Sequence, residues 1–125
     1  MKIFSVEEAN ALLPTVRGLL KKIRRAHSRV ISYQEAARSA ADAAEQGGGG
    51  MTAGVRYAEI LMQLTSLTSE LESMGVQLKD FTRGLIDFPS LRDGRVVLLC
   101  WQLDEGDRVE WWHDVDAGFA GRTPL

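Results

Sequence analysis

Apolar residues recur every three to four positions in the first part of the chain, and this spacing predicts an amphipathic helix. Ser5 and Glu8 have the spacing of a capping box, in which each side chain bonds the other residue's backbone amide, so the helix should begin at Val6. Pro14 interrupts the pattern because its ring clashes with the carbonyl four residues back, which predicts a kink or a break into two helices. The apolar stripe of this helix comprises Leu13, Val16, Leu19, Leu20, Ile23, His27 and Val30.

A second helical pattern follows a run of four glycines at 47–50, which predicts the tip of a hairpin. Apolar residues at heptad-like spacing within 51–74 predict the second helix, and Gly75 is placed to end it. We expect the two helices to pack antiparallel in a coiled-coil-like hairpin spanning 1–75. The first helix is the longer one, so its leucine-rich overhang at 6–20 needs another surface, for which the C-terminal half is the candidate.

After Gly75 the hydrophobic period shortens toward two, and β-branched and aromatic residues become frequent, which predicts strands. Short connections that contain glycine favour antiparallel neighbours, so we expect a β-meander within 76–125 whose apolar face packs on the helical overhang. A tail at 117–125 has the glycines to fold back over this sheet. The predicted strands are 76–80, 85–88, 95–103 and 108–114. The fold class is therefore α+β, a single domain over 1–125 in which a long helical hairpin, kinked near Pro14, carries a small three- to four-stranded antiparallel sheet at its base.

Composition and charge narrow the classes of function. With 45% hydrophobic residues the chain has enough apolar side chain to fold, and its formal net charge of −2 gives no bulk attraction to nucleic acid. Six of the 15 basic residues lie between Arg17 and Arg29 with no acid among them, and we interpret this helix face as solvated or as a docking surface for an acidic partner. We do not expect nucleic acid as a partner, because no aromatic residue interleaves the basic ones.

The single cysteine excludes an intramolecular disulfide and any zinc ribbon built on paired CxxC motifs. The first ten residues lack the apolar run of a signal peptide, and no later run reaches the roughly 18 apolar residues of a membrane span. We therefore expect a soluble cytoplasmic protein that makes no membrane contact. Cys100, His113 and all three tryptophans fall in the strand half, so the side chains able to do chemistry are concentrated there.

Asp87 is a poor strand former inside a predicted strand, and such a conflict often marks a functional residue. If residues 104–107 form a four-residue hairpin loop, Cys100 and His113 share one face of the sheet. A tight closure of the preceding hairpin pairs Asp87 with Val96 and places Asp87 on that face too. A slip of one residue in the register would move His113 to the other face, because successive side chains of a strand alternate.

This cluster has four alternative interpretations. In the first, Cys100 is a small buried hydrophobe and His113 is a hydrogen-bonded polar group at a sheet edge. The second is a divalent metal site with His113, Asp87 and Cys100 as ligands, and the third makes Cys100 a nucleophile with His113 as its base. The fourth is a small-ligand pocket lined by tryptophans. The candidate ligand-binding residues are Asp87, Cys100, Trp101, Trp112 and Arg122.

Residues 118–122, with the sequence GFAGR, have two interpretations. The backbone amides and the guanidinium could bind an anion. Alternatively, the glycines let the tail turn while Arg122 pairs with an acid such as Asp87 or Asp116. We favour the second interpretation, because glycines mostly serve turns.

Several short motifs of the chain resemble one known family. The resemblance lies in FSVEEANALLP at 4–14, KD at 79–80, RGLIDFP at 83–89, LCW at 99–101, WH at 112–113 and GFAGR at 118–122. The sequence resembles a bacterial family catalogued as domain of unknown function 2203. The resemblance implies a long helical hairpin with a small β module, and it implies no established activity, cofactor or catalytic residue.

These observations support two hypotheses of function. The first is a ligand- or metal-binding module with its site at the β end, and a divalent metal is its candidate cofactor. The alternative is a non-enzymatic structural or adaptor protein that binds a protein partner, or a second copy of itself, through the helical hairpin. The sequence contains no recognisable catalytic motif, so it leaves enzymatic activity open.

Overall fold

The computed structural model contains two helices followed by a five-stranded antiparallel sheet, which is an α+β architecture. The structure describes residues 1–44 and 51–125, without the side chains of 40–53. The predicted glycine-rich tip at 47–50 lies outside the described residues. In the described part of the chain, no helix combines the length and the hydropathy needed to cross a membrane. The elements are helices α1 (Val6–Ala44) and α2 (Met51–Ser73), strands β1 (Gln77–Asp80), β2 (Leu85–Arg92), β3 (Arg95–Gln102), β4 (Trp111–Asp114) and β5 (Thr123–Pro124), and a short 3-10 turn (Phe119–Gly121).

Helix α1 begins where its capping box predicts. The Ser5 amide donates to Glu8 Oε1 over 2.9 Å, and the Glu8 amide donates to Ser5 Oγ over 3.0 Å. The helix continues without interruption through Pro14, so the alternative of two separate helices is wrong. Proline removes one helical hydrogen bond, but Leu13 and Val16 on either side of it are buried in the same core, and this packing holds one helix together. The kink stays a prediction.

Helix α2 packs against α1, as expected for a helical hairpin. Leu71 is fully buried, and the rings of Tyr33 and Tyr57 meet across the two helices with centroids 6.4 Å apart. Gly75 follows α2 with a φ of 89°, and a Cβ at this position would lie 2.8 Å from the Cβ of Lys2. Glycine is therefore required where the chain leaves the helix for the sheet. The coiled-coil character of the pair stays a prediction.

The sheet is a meander in which each strand pairs antiparallel with the next, in the order β1-β2-β3-β4-β5. It has five strands, one more than the upper limit predicted from the sequence, because the tail contributes β5. Trp111 pairs with Pro124 and Trp112 with Thr123, so the end of the tail extends the sheet at its edge.

The hairpin of β2 and β3 is longer and tighter than predicted. Strand β2 continues beyond Phe88 to Arg92, and the turn consists only of Asp93 and Gly94, with φ values of 52° and 79°. Two positive φ values in a two-residue loop are typical of a type I′ turn, whose twist matches that of the paired strands. The predicted end of β2 at Phe88 is therefore wrong.

Pro89 lies inside β2, although proline normally interrupts a strand. Its carbonyl oxygen accepts a hydrogen bond from the Phe4 amide over 2.7 Å. The nitrogen and oxygen of one strand residue point to the same side, so the proline nitrogen also points away from β3. On that side β1 pairs with β2 only as far as Asp87, so no hydrogen bond of the sheet is lost at Pro89.

The connection between β3 and β4 spans residues 103–110, twice the predicted length, and β4 begins only at Trp111. This loop is held on α1, where Asn10 Oδ1 accepts a hydrogen bond from the Val109 amide over 2.6 Å. The predicted start of β4 is therefore wrong. The predicted register is nevertheless observed, because Cys100 pairs with Trp111.

One face of the sheet packs on α1, and the leucine-rich overhang of this helix is buried there, as predicted. His27 does not continue the buried stripe. It is half-buried and stacks on Phe81 with ring centroids 4.7 Å apart, whereas Ala26, three residues after Ile23, is 3% exposed. The core consists of Phe4, Ala9, Leu13, Val16, Leu19, Leu20, Ile23, Leu71, Val76, Ile86, Phe88, Leu99, Trp101 and Val109.

Candidate metal centre

Asp87, Cys100 and His113 project from the face of the sheet that points away from the helices. Asp87 pairs directly with Cys100, while Leu98, two residues before Cys100, pairs with His113. Residues two apart on a strand share a face, so the three side chains project from the same side. Their exposed fractions are only 2%, 1% and 3%. The structure thus brings together the three residues that the sequence proposed as metal ligands.

The pairing predicted for Asp87 is wrong in detail. Asp87 lies opposite Cys100, not Val96, because the turn of the β2–β3 hairpin lies two residues further along the chain than expected. A turn displaced by two residues shifts the partner by four. Because four is an even number, the shift leaves Asp87 on the predicted face.

The hydrogen bonds of His113 determine where its ring protons lie. Nδ1 is 2.7 Å from the backbone oxygen of Asp114, and a carbonyl oxygen can only accept, so Nδ1 carries a hydrogen and donates. Nε2 is 3.0 Å from Asp87 Oδ1, and these two atoms form a hydrogen bond only if one of them holds a proton. One proton therefore lies between Asp87 and His113. Burial raises the pKa of Asp87, and the charges of His113 and Lys79 oppose this rise.

Cys100 is held as a neutral thiol. Burial raises its pKa to about 12, the negative charge of Asp87 adds to the rise, and Arg122, whose Nη1 lies 3.9 Å from Sγ, opposes it. Both ring nitrogens of His113 are bonded to other groups, so neither is positioned to take the thiol proton. The geometry therefore gives no support to Cys100 as a nucleophile with His113 as its base.

The three side chains can offer one nitrogen, one oxygen and one sulfur atom to a metal ion, and these atoms lie within 4.8 Å of one another. Zinc takes such ligands at about 2.0 to 2.3 Å in tetrahedral geometry, which separates the donor atoms by about 3.5 Å. The donor atoms would have to approach one another by up to about 1.3 Å to reach that spacing. The hydrogen bond from His113 Nδ1 to a backbone carbonyl is also the contact that commonly orients a metal-binding histidine, and it leaves Nε2 as the ligand atom.

A cavity of about 130 Å³ opens beside these donors, between the sheet and the segment that follows β4. Lys79 lies at its wall, with Nζ 4.0 Å from Asp87 Oδ2, and it is not among the site residues predicted from the sequence. Strand alternation alone could not have placed it, because the register between β1 and β2 shifts between Leu78 and Asp80, which is where Lys79 lies. The residues lining the cavity are Lys79, Leu85, Asp87, Leu98, Cys100, His113, Val115, Gly118 and Phe119.

The two tryptophans proposed as ligand-binding residues lie on the other face of the sheet. Trp101 is 1% exposed in the core, and its Nε1 donates to the oxygen of Gly106 over 2.9 Å. Trp112 is half-buried and packs against the same core, with the guanidinium of Arg92 4.7 Å from its ring centroid. The structure thus separates both tryptophans from Asp87 and its neighbours and places them where they support packing.

Arg122 reaches the edge of the cluster from the tail. Its Nη1 lies 2.9 and 3.0 Å from the two carboxylate oxygens of Glu105, so its acidic partner is neither Asp87 nor Asp116. The guanidinium is also stacked 4.7 Å from the ring centroid of Trp111 and 4.2 Å from that of Phe119. Glu105 in addition accepts a hydrogen bond from the Gln102 amide over 2.9 Å. These contacts fasten the tail to the β3–β4 loop beside Cys100.

A long helix pair, a five-stranded meander and a buried Asp–Cys–His cluster on the outer face define a small α+β protein with a candidate metal centre. The chain belongs to the family described as uncharacterised conserved protein DUF2203, whose family model matches residues 2–125. This match confirms the resemblance seen in the sequence motifs. No curated protein and no solved structure matches the chain.

Proposed function

We propose that residues 1–125 form one domain that binds a divalent transition metal through Asp87, Cys100 and His113. The observation that carries this proposal is the convergence of three different ligand atoms within 4.8 Å on one buried patch of the sheet. Burial of a carboxylate and an imidazole costs free energy that an apolar pair at the same positions would not require. A metal-binding role accounts for that cost.

The types of ligand indicate which metal the site would select. A thiolate and an imidazole with a single carboxylate suit zinc and neighbouring transition metals, whereas magnesium and calcium prefer oxygen ligands throughout. Three protein ligands also leave a fourth position open to water or a small molecule, which is typical of zinc sites that act on a ligand. The adjoining cavity is consistent with such an open position.

Equilibrium dialysis of tag-free protein against Zn²⁺ and Co²⁺, read out by elemental analysis, tests the proposal. We expect one tightly bound ion per chain in the native protein and at least a tenfold loss of affinity in Asp87→Asn, Cys100→Ser and His113→Gln. The matched control is His27→Gln, which removes the other histidine and should bind metal like the native protein. Binding well below one ion per chain, or equal binding by the three site variants, would contradict the proposal.

A thiol ligand also bears on where the protein works. Cytosolic thiol systems keep cysteines reduced, and only a reduced Cys100 can bind a metal. We therefore propose a bacterial cytoplasm as its setting.

The second candidate function is self-association through the hairpin. Val55 and Met62 are 57% and 71% exposed, and they lie one heptad apart on the same face of α2. This exposed apolar pair favours docking with a second copy of the chain, which would make the protein a structural or adaptor module. Analytical ultracentrifugation should then show a dimer that the double variant Val55→Glu/Met62→Glu converts to a monomer. A native protein that sediments as a monomer at high concentration would rule this candidate out.

A further inference from the structure

The cavity beside the Asp–Cys–His cluster limits what a bound ligand can be. It is small, with a volume of about 130 Å³, and it is partly open to solvent. A ligand of that size has only a few non-hydrogen atoms. Apart from the three donors, much of the wall is apolar, formed by Leu85, Leu98, Val115 and Phe119.

The charges around the cavity narrow the choice further. The Asp87 carboxylate and the Cys100 thiolate together balance a divalent ion, and a neutral His113 adds no charge. Lys79, with its Nζ 4.0 Å from Asp87 Oδ2, is the only lysine or arginine among the described residues lining the cavity. The metal-loaded site therefore has one positive charge in excess. The Lys79 side chain is 44% exposed, so water already solvates part of its charge, and a negatively charged ligand at the open metal position would add a charge-assisted contact with its ammonium group.

We propose, on the basis of the metal site proposed above, that the metal-loaded protein binds a small aliphatic monocarboxylate of the size of acetate or propionate. The carboxylate occupies the open metal position within reach of the Lys79 ammonium, and the alkyl group contacts Leu98 and Val115. A neutral amide of the same shape leaves the charge of Lys79 unbalanced. Chloride and hydroxide supply the charge, but they leave the apolar wall without a contact.

The test uses Co²⁺-loaded protein in chloride-free buffer, because the visible absorption of bound cobalt reports changes in its ligands. The protein is titrated with acetate, propionate and the neutral isostere acetamide. We expect saturable spectral changes with both acids and at least a tenfold weaker response to acetamide. Lys79→Met should weaken acetate binding by about tenfold while it still binds Co²⁺. The matched control, Lys22→Met on the exposed face of α1, should bind acetate like the native protein.

Each outcome decides one proposal. If Co²⁺ fails to bind at one ion per chain, the metal site itself is wrong, and that is known before any acid is added. If Co²⁺ binds but acetate produces no change, the metal site stands and the monocarboxylate inference is overturned. Equal responses to acetate and acetamide, or an unchanged affinity in Lys79→Met, overturn the role of charge and with it the inference. Equal losses in the variants at Lys79 and Lys22 point to general electrostatic attraction and overturn it as well.

Discussion

Binding of Zn²⁺ at the proposed centre is expected to release two protons per metal ion. One comes from the Cys100 thiol, whose pKa burial raises to about 12, and the other lies between Asp87 Oδ1 and His113 Nε2. The metal replaces both, because side chains bind metals in their deprotonated forms. While the metal-free protein holds both protons, the apparent affinity should fall about 100-fold for each pH unit of acidification. This corresponds to about 2.7 kcal/mol of binding free energy per pH unit.

Calorimetric titrations in buffers with different ionisation enthalpies measure the number of protons released, and dialysis at two pH values gives the change in affinity. Asp87→Asn should release only one proton, because the asparagine amide donates to His113 Nε2 and no shared proton remains. His27→Gln, remote from the centre, should still release two. A native protein that releases no protons would refute the protonation states derived from these hydrogen bonds.

Contacts outside the centre lead to further expectations. Arg122→Ala removes a partly buried ion pair and should lower the free energy of unfolding in urea by about 1–3 kcal/mol. Arg95→Ala removes an exposed ion pair and should lower it by less than about 1 kcal/mol. Equal losses in the two variants would contradict this. Gly84→Ala should lower the free energy of unfolding, because residue 84 has a φ of 60° and the added Cβ would lie 2.5 Å from a leucine side chain. Gly18→Ala should raise the free energy of unfolding by up to about 1 kcal/mol, because Gly18 lies within helix α1 and its added Cβ would meet no other atom. The opposite order of stabilities would contradict this expectation. The folded protein keeps the Cys100 proton at pH values where the unfolded chain, with a pKa of 9.0, loses it. When the pH rises from about 7 to about 10, the free energy of unfolding should therefore fall by about 1 kcal/mol more in the native protein than in Cys100→Ala. Parallel pH curves for the two proteins would argue against this.

The sequence predicted the helical part of the fold well, because the helix signals are local. The capping box at Ser5 and Glu8, and the apolar spacing of α1, each depend on residues within one or two turns. The strand boundaries were predicted less well. The predicted strand β2 ended before Pro89. The missing amide hydrogen of this proline costs a hydrogen bond only if a neighbouring strand needs that donor. Whether one does depends on where β1 stops pairing, which is a property of the whole sheet.

The candidate centre could be predicted to the extent that it depends on strand alternation. Cys100 and His113 were correctly placed on one face, because this depends only on whether the number of residues connecting β3 to β4 is even or odd. The observed connection is longer than the predicted one, but both contain an even number of residues. The contact between Arg122 and Glu105 could not be predicted in this way. It joins an irregular tail to an irregular loop, and no periodic pattern specifies where such segments meet.

The strand that supplies His113 has a consequence for the lifetime of a bound ion. Asp87 and Cys100 stand on β2 and β3, which have eight residues each, whereas β4 has four and its outer neighbour β5 has two. Short strands at a sheet edge open by local fluctuations that cost much less free energy than global unfolding. An ion bound to all three side chains would therefore exchange with solution at the rate at which this edge frays. Its residence time could then change severalfold through substitutions in β5 that leave the overall melting temperature untouched.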